Sequence, residues 1–319
     1  MNSEYRILNI DLCSLQRGAS FDRGICQRLL KSQFPALFHT LCFGTKIVKC
    51  SAFILLFAAI SSNSLIAQPL QKIYSDLDNA TSISVTQNSI YVVEQGKNRL
   101  LKLDHEGKLL ESIGGRGSGD YQFSKPVDVD ATNGLKIFIT DFNNHRVQVF
   151  DRRGQYLSSI SGRDYFGVNR RYNPTQIAVS NMGEVYFVDE NASYIRHFDL
   201  DYNLLDEFRI SAEIESVDEL AVNSAEIFIL DRTSQTIHRL ALNGSYQGFY
   251  PAENIRAMFK NDNGLWTASN QNLVFEPSTG EDQTIQFQDF INPVDLSVQR
   301  EQVFILTATE LFKLPVLKR

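Results

Sequence analysis

Residues 114–161 read GGRGSGDYQFSKPVDVDATNGLKIFITDFNNHRVQVFDRRGQYLSSIS, and this stretch decides the fold. Gly114 to Gly119 supply a flexible crossing, and Pro126 fixes the backbone ahead of an extended run. Val127 and Val129 alternate with Asp128 and Asp130, the two-residue period of a strand. Asn133-Gly134 predicts a tight hairpin, because both residues tolerate positive φ. Ile137-Phe138-Ile139 is long enough for a buried strand and too short for a typical helix. Asp141–Asn144 turns the chain into a third strand, Arg146–Phe150. Arg153-Gly154 turns it into a fourth, Gln155–Ile160. One stretch thus predicts a four-stranded antiparallel sheet with its entry loop.

The pattern recurs. Second-strand cores read IYVVE at 90–94, IFITD at 137–141, VYFVD at 185–189, IFILD at 227–231, LWTAS at 265–269 and VFILT at 303–307. Their starts lie 47, 48, 42, 38 and 38 residues apart. First-strand remnants precede them: ISV at 83–85, VDV at 127–129, IAV at 177–179, LAV at 220–222, IRAMF at 255–259 and LSV at 296–298. A period near 40 with four short strands per repeat is the pattern of propeller blades. The expected fold is all-β, a six-bladed β-propeller of four-stranded antiparallel blades. Leu70–Leu77 reads as a strand ahead of the first blade, and the last blade stops after its third strand, Leu311–Leu314. An N-terminal strand completing the sixth blade would close the ring and remove a free edge.

These words, above all GGRGSGDYQFSKPVDVD and IFITDFNNHRVQVFDRRGQYL, resemble the NHL-repeat six-bladed β-propellers. The resemblance covers roughly residues 70–319 and is strongest in the second blade. Ser269 and Thr307 replace the acid that ends the second strand in the first four blades. The resemblance implies two function classes. One is a binding or scaffold propeller, and the other a lyase or lactone hydrolase with a metal in its central channel.

Residues 1–67 differ from the rest. Residues 1–44 show no repeat and read as an unstructured or non-native extension. Lys46 and Lys49, the apolar run Cys50–Ile60 and Leu65-Ile66-Ala67 then give residues 45–67 the layout of a signal peptide cleaved after Ala67. An uncleaved membrane anchor is the alternative, although the run is shorter than the roughly 20 residues a span needs. Leaders begin at the amino terminus, so the expected translation start lies nearer Leu41. The domain proper is then 68–319, exported to the periplasm or beyond. It has no cysteine, because all four lie at or before Cys50.

Residues 68–319 carry 24 basic and 34 acidic side chains, a net of −10. Such a domain repels phosphate backbones, so a nucleic-acid partner is not expected. No GxSxG or HExxH motif occurs. His145, His197 and His238 fall at different positions of their blades, so no convergent metal set is legible. Neither a cofactor nor catalytic residues are expected. Glu94, Asp141, Asp189 and Asp231 recur at the second-strand end and are read as acceptors for backbone N–H groups of the following turn, with Arg99 and Arg146 as partners.

The candidate binding residues lie in the loops entering blades 2 and 3. They are Arg116 and Tyr121 in the first, and Arg163, Tyr165, Phe166, Arg170, Arg171 and Tyr172 in the second. Arginine and tyrosine are enriched at binding hot spots. A local basic patch on an acidic domain suits an anionic group on a protein, peptide or glycan, bound by a monomeric propeller.

Overall fold

The computed structural model describes residues 69–162, 171–190, 193–300 and 302–315. The extension and leader assigned to residues 1–67 lie outside them. Blade 1 comprises β2 (Ala80–Val85), β3 (Ile90–Glu94), β4 (Arg99–Leu103) and β5 (Leu109–Gly114), after a first strand β1 (Gln71–Tyr74). Blade 2 is β6 (Pro126–Asp130), β7 (Lys136–Asp141), β8 (Arg146–Asp151) and β9 (Tyr156–Ser161). Blade 3 is β10 (Pro174–Val179), β11 (Val185–Asp189), β12 (Tyr194–Phe198) and β13 (Leu204–Arg209). Blade 4 is β14 (Glu219–Val222), β15 (Glu226–Asp231), β16 (Thr236–Ala241) and β17 (Tyr246–Pro251). Blade 5 is β18 (Ala257–Asn261), β19 (Gly264–Ala268), β20 (Asn272–Pro277) and β21 (Gln283–Gln286). Blade 6 holds β22 (Pro293–Gln299), β23 (Gln302–Thr307) and β24 (Leu311–Pro315), and its fourth strand is β1.

The expected ring closure is therefore present. Gln71 pairs with Lys313 and Lys72 with Phe312, antiparallel, and Lys72 Nζ meets Glu310 at 2.8 Å. Without β1, the backbone groups along β24 would form an open edge.

The second strands are apolar throughout because both of their faces are covered. Ile90 and Val92 pack with Phe304, Leu306 and Leu311 of blade 6, whereas Tyr91 and Val93 pack with Val129, Ile137 and Ile139 of blade 2. Alternate residues of one strand thus serve different inter-blade cores, so an unbroken apolar run is what a sandwiched blade requires. One local expectation needs correction. Asn133-Gly134 turns the chain, but within a five-residue connection rather than a two-residue hairpin. Gly134, at φ 70°, donates to the Ala131 carbonyl, and Asn133 Oδ1 accepts the amides of Leu135 and Lys136.

The recurring acids organise one face. Glu94 accepts the Asp78 amide (2.9 Å), Asp141 the Ser124 amide (2.7 Å), Asp189 the Asn173 amide (2.9 Å) and Asp231 the Glu215 amide (2.7 Å). Each acid reaches back to the loop that enters its own blade. Among the described residues, backbone amides of the following turn go to Asp231, which also accepts those of Thr233 and Ser234. That corrects the expectation for Glu94 and Asp141, whose following amides donate to carbonyls of the entry loop; the turn after Asp189 lies partly outside the described residues. The arginine partners are as read: Arg99 pairs with Glu94, and Arg146 Nε meets Asp141 at 3.0 Å. In blade 3, Arg196 takes the role on Asp189, at 3.0 Å. In blades 5 and 6, Ser269 and Thr307 accept only from their own turns.

Asp141 is fully buried and holds Ser124, Asn144 and Arg146 together. Asp141→Ala leaves the Arg146 charge without its carboxylate and the Ser124 amide without its acceptor. The expected loss is about 3–5 kcal/mol in urea unfolding, as for breaking a buried ion pair from one side. A loss below about 1 kcal/mol, the worth of an exposed pair, would show that the lock contributes little.

Candidate functional site

The ring has two faces. The loops entering the blades and the second-to-third-strand turns lie on one, here the loop face. The first-to-second and third-to-fourth turns lie on the other, the turn face. Hydrogen bonds establish the first grouping: the amides of Phe142 and Asn143 donate to the carbonyls of Lys125 and Ser124.

The loop entering blade 2 is held tightly. Asn144 Nδ2 donates to the Gly117 carbonyl at 2.8 Å, and Arg146 Nη2 to those of Gly119 and Gln122 at 2.8 and 3.0 Å. Gln148 Nε2 also donates to Gln122 O, at 2.7 Å. Arg116 stands exposed on this frame. Tyr121 is 40 % exposed; its hydroxyl accepts the Tyr156 amide and its ring packs on Phe150 and Tyr156. In the loop entering blade 3, Arg171 is exposed. Tyr172 is only 2 % exposed, set edge-on against Phe187 and Phe198 with the Arg196 guanidinium over its ring. Burial between strands removes Tyr172 from the candidate surface. His145 joins the two loops, its Nδ1 lying 2.9 Å from Asn173 Oδ1. Arg163, Tyr165, Phe166 and Arg170 lie outside the described residues.

A second feature escaped the sequence reading. A cavity of about 400 Å³ runs along the ring axis, lined by the inner strands of all six blades. Each inner strand is a sheet edge, so its outer amides have no ladder partner and need acceptors. The preceding blade supplies them. Asp295 accepts the Ile83 amide (2.7 Å) and Ser297 that of Val85 (3.2 Å). Ser82 and Ser84 accept those of Val129 (3.2 Å) and Ala131 (2.9 Å). Asp128 and Asp130 accept those of Ile177 and Val179, both at 2.7 Å. Glu219 accepts that of Met258 at 2.6 Å. The signal was a polar residue two places from another in the inner strands of blades 1, 2 and 6: SIS, DVD and DLS. It was legible as alternation, but the partners lie one blade away.

The charges in the channel are unbalanced. Burial pushes the Asp128 carboxyl up to about 7 and Asp295 up to about 8, and these two repel each other. Glu219 is raised well above the usual range by burial and by Asp295. Two cations line the cavity, Lys260 and Arg232, and Arg232 donates to Glu219 (2.8 Å) and, across the top of blade 5, to the Val294 carbonyl (3.1 Å). The Arg232 Nε is buried without a hydrogen-bond partner among the described residues. At the turn-face mouth, Asp262 accepts from Asn181 and Ser224, tying blades 3, 4 and 5. Among the described residues, no three His, Cys, Asp or Glu side chains gather as a metal site.

Carboxyls whose folded-state pKa lies above the unfolded value near 4 bind more protons in the native state. Their contribution is fully present below about pH 4 and is lost as pH rises through about 7 to 8. Asp295→Ser keeps an amide acceptor of the kind Ser82 provides and removes one charge. Its Tm relative to wild type should climb between pH 5 and pH 8.5. A difference that stays flat across this range would refute the titration.

The NHL repeat family profile matches residues 123–150. Over 131 residues, 40 % of the chain, it is 27 % identical to Protein brain tumor of Drosophila melanogaster and 24 % identical to the human E3 ubiquitin-protein ligase NHLRC1. Those matches span 12 % and 31 % of the two relatives, so the chain corresponds to under a third of their length. Among solved structures, a gluconolactonase from Xanthomonas campestris superposes with TM-score 0.58 at 13 % identity, covering 79 % of this chain and 96 % of that one. A streptogramin B lyase superposes with TM-score 0.53 at 12 % identity, covering 78 % and 87 %. At such identities these likenesses speak for the fold. With the repeat cadence and the six four-stranded sheets, they show a six-bladed β-propeller, and its second blade carries the sequence of an NHL repeat.

Proposed function

We propose that this propeller is an exported, non-catalytic binding module whose loop face captures a protein partner. The observation that carries the reading is the rigid loop 114–125. It is fixed from beneath by Asn144, Arg146 and Gln148, while Arg116 projects from it and Arg171 from the neighbouring loop. Preorganised loops lose less entropy on binding. Exposed arginines on a domain of net charge −10 favour an acidic patch on the partner, whether protein, peptide or glycan. The channel acids are mostly occupied as acceptors between blades, which supports placing recognition on the face. Export rests on the leader-like segment 45–67 and the cysteine-free domain that follows.

One observation favours a second reading, a small-molecule or catalytic site in the channel of the lyase or lactone hydrolase kind. It is the unpartnered Nε of Arg232 beside a 400 Å³ cavity. Stoichiometric calcium or zinc in the purified protein would support that reading.

Arg116→Ala/Arg171→Ala should leave Tm within about 2 °C, since both side chains are exposed. It should strip a partner from pull-downs made with the wild-type chain. Identical capture by both proteins would refute loop-face binding. Peptide mapping of the mature protein should begin after Ala67; recovery of peptides from residues 5–40 would refute leader removal.

A further inference from the structure

On the turn face, a cavity of about 480 Å³ opens between blades 1 and 2. Its walls are the first hairpin turns of both blades and the outer turn of blade 2, with Tyr91 and Lys102 at the back. Its size suits a small ligand. Lys102, Lys136, Arg152 and Arg153 all line it, in a domain of net charge −10. Among the described residues, none of the four lies within ion-pair distance of a carboxylate. Arg99, Arg146, Arg196, Arg232 and Arg239 all do.

Neighbouring acceptors are engaged elsewhere and do not neutralise these charges. Asp151, next in sequence, is turned onto the amides of Arg153 and Gln155. The Arg152 carbonyl, which would otherwise compete for cations, already accepts from Lys102 Nζ at 2.9 Å and Tyr91 Oη at 3.4 Å. Lys102 keeps two donors for a ligand. Lys136 is partly engaged over the Tyr202 ring at 4.7 Å, so Lys102, Arg152 and Arg153 form the centre. Glu111, across the strands from Lys102, packs against Gly154 at the rim and tempers the charge. The turn itself does not call for arginine. Its counterparts carry His105-Glu106 in blade 1, Leu200-Asp201 in blade 3 and Leu242-Asn243 in blade 4.

We propose that this pocket binds a tetrahedral oxyanion borne by a small hydroxylated ligand, a sugar phosphate or sulfate. Two arginines and a lysine supply charge-assisted donors for the anion, and the amide and hydroxyl groups of Gln87, Asn88 and Ser89 offer partners for the hydroxyls. The site is separate from the loop face and does not depend on the reading given to that face.

The test is calorimetric titration of the full chain at fixed ionic strength, with inorganic phosphate, inorganic sulfate and glucose 6-phosphate as probes. All three should saturate a common site, glucose 6-phosphate most tightly. Arg152→Ala/Arg153→Ala, both exposed positions, should weaken each by about tenfold or more, the effect of losing a charged hydrogen bond. Arg209→Ala, an exposed position outside both sites, should bind as wild type. Titrations that never saturate, or equal affinity in the Arg152→Ala/Arg153→Ala protein, overturn the proposal.

Discussion

A propeller has no backbone ladder between its blades, and this constraint governs the molecule. Each inner strand ends a sheet, and its channel-side amides would be left buried and unpaired. The side chains of the preceding blade fill that gap through Ser82, Ser84, Asp128, Asp130, Glu219, Asp295 and Ser297. Apolar packing holds the blades face to face, but it is not directional. The channel hydrogen bonds supply direction and fix how far each blade sits around the ring from the last. Their cost is electrostatic, because carboxyls drawn from several blades meet in one narrow space.

A parallel device works on the loop face. There an acid at the end of a second strand holds the entry loop of its own blade, and an arginine from the third strand neutralises it. The first three blades use this lock; in blade 4 His238 stands by Asp231 in place of an arginine, and Ser269 and Thr307 serve only local turns in the last two. The channel bonds are uneven too: among the described residues, Gln176 and Ala178 of blade 3 and Ala257 and Phe259 of blade 5 accept no amide of the next blade. Arg232 and Asp262 instead reach over adjacent blades at the two mouths. Longer ties thus stand where the regular ones are missing.

Much of this was legible in the sequence. The sixfold cadence, the buried second strands, the pairing of the two chain ends and the acid–arginine partners all follow from local words and their spacing. The channel was not legible. Asp128 and Asp130 look like the wet side of an amphipathic strand, and only the wrapping of the ring turns that side inward. Their amide partners lie 49 residues away, and that of Asp295 lies 212 away. Tyr172 was misplaced for a related reason: loop position suggested exposure, while the next blade covers the ring. The pocket between blades 1 and 2 is likewise a product of neighbouring turns, assembled from residues that mean little one at a time.

The pairing of β1 with β24 has a temporal corollary. A ribosome or export channel delivers Gln71 long before Lys313, so the earliest strand must wait for almost the entire disc to emerge. Until then the nascent chain exposes two complementary borders, and two such chains side by side have the means to trade them. The circle therefore offers strong protection once finished and little while under assembly, which places its greatest hazard in biosynthesis rather than in service.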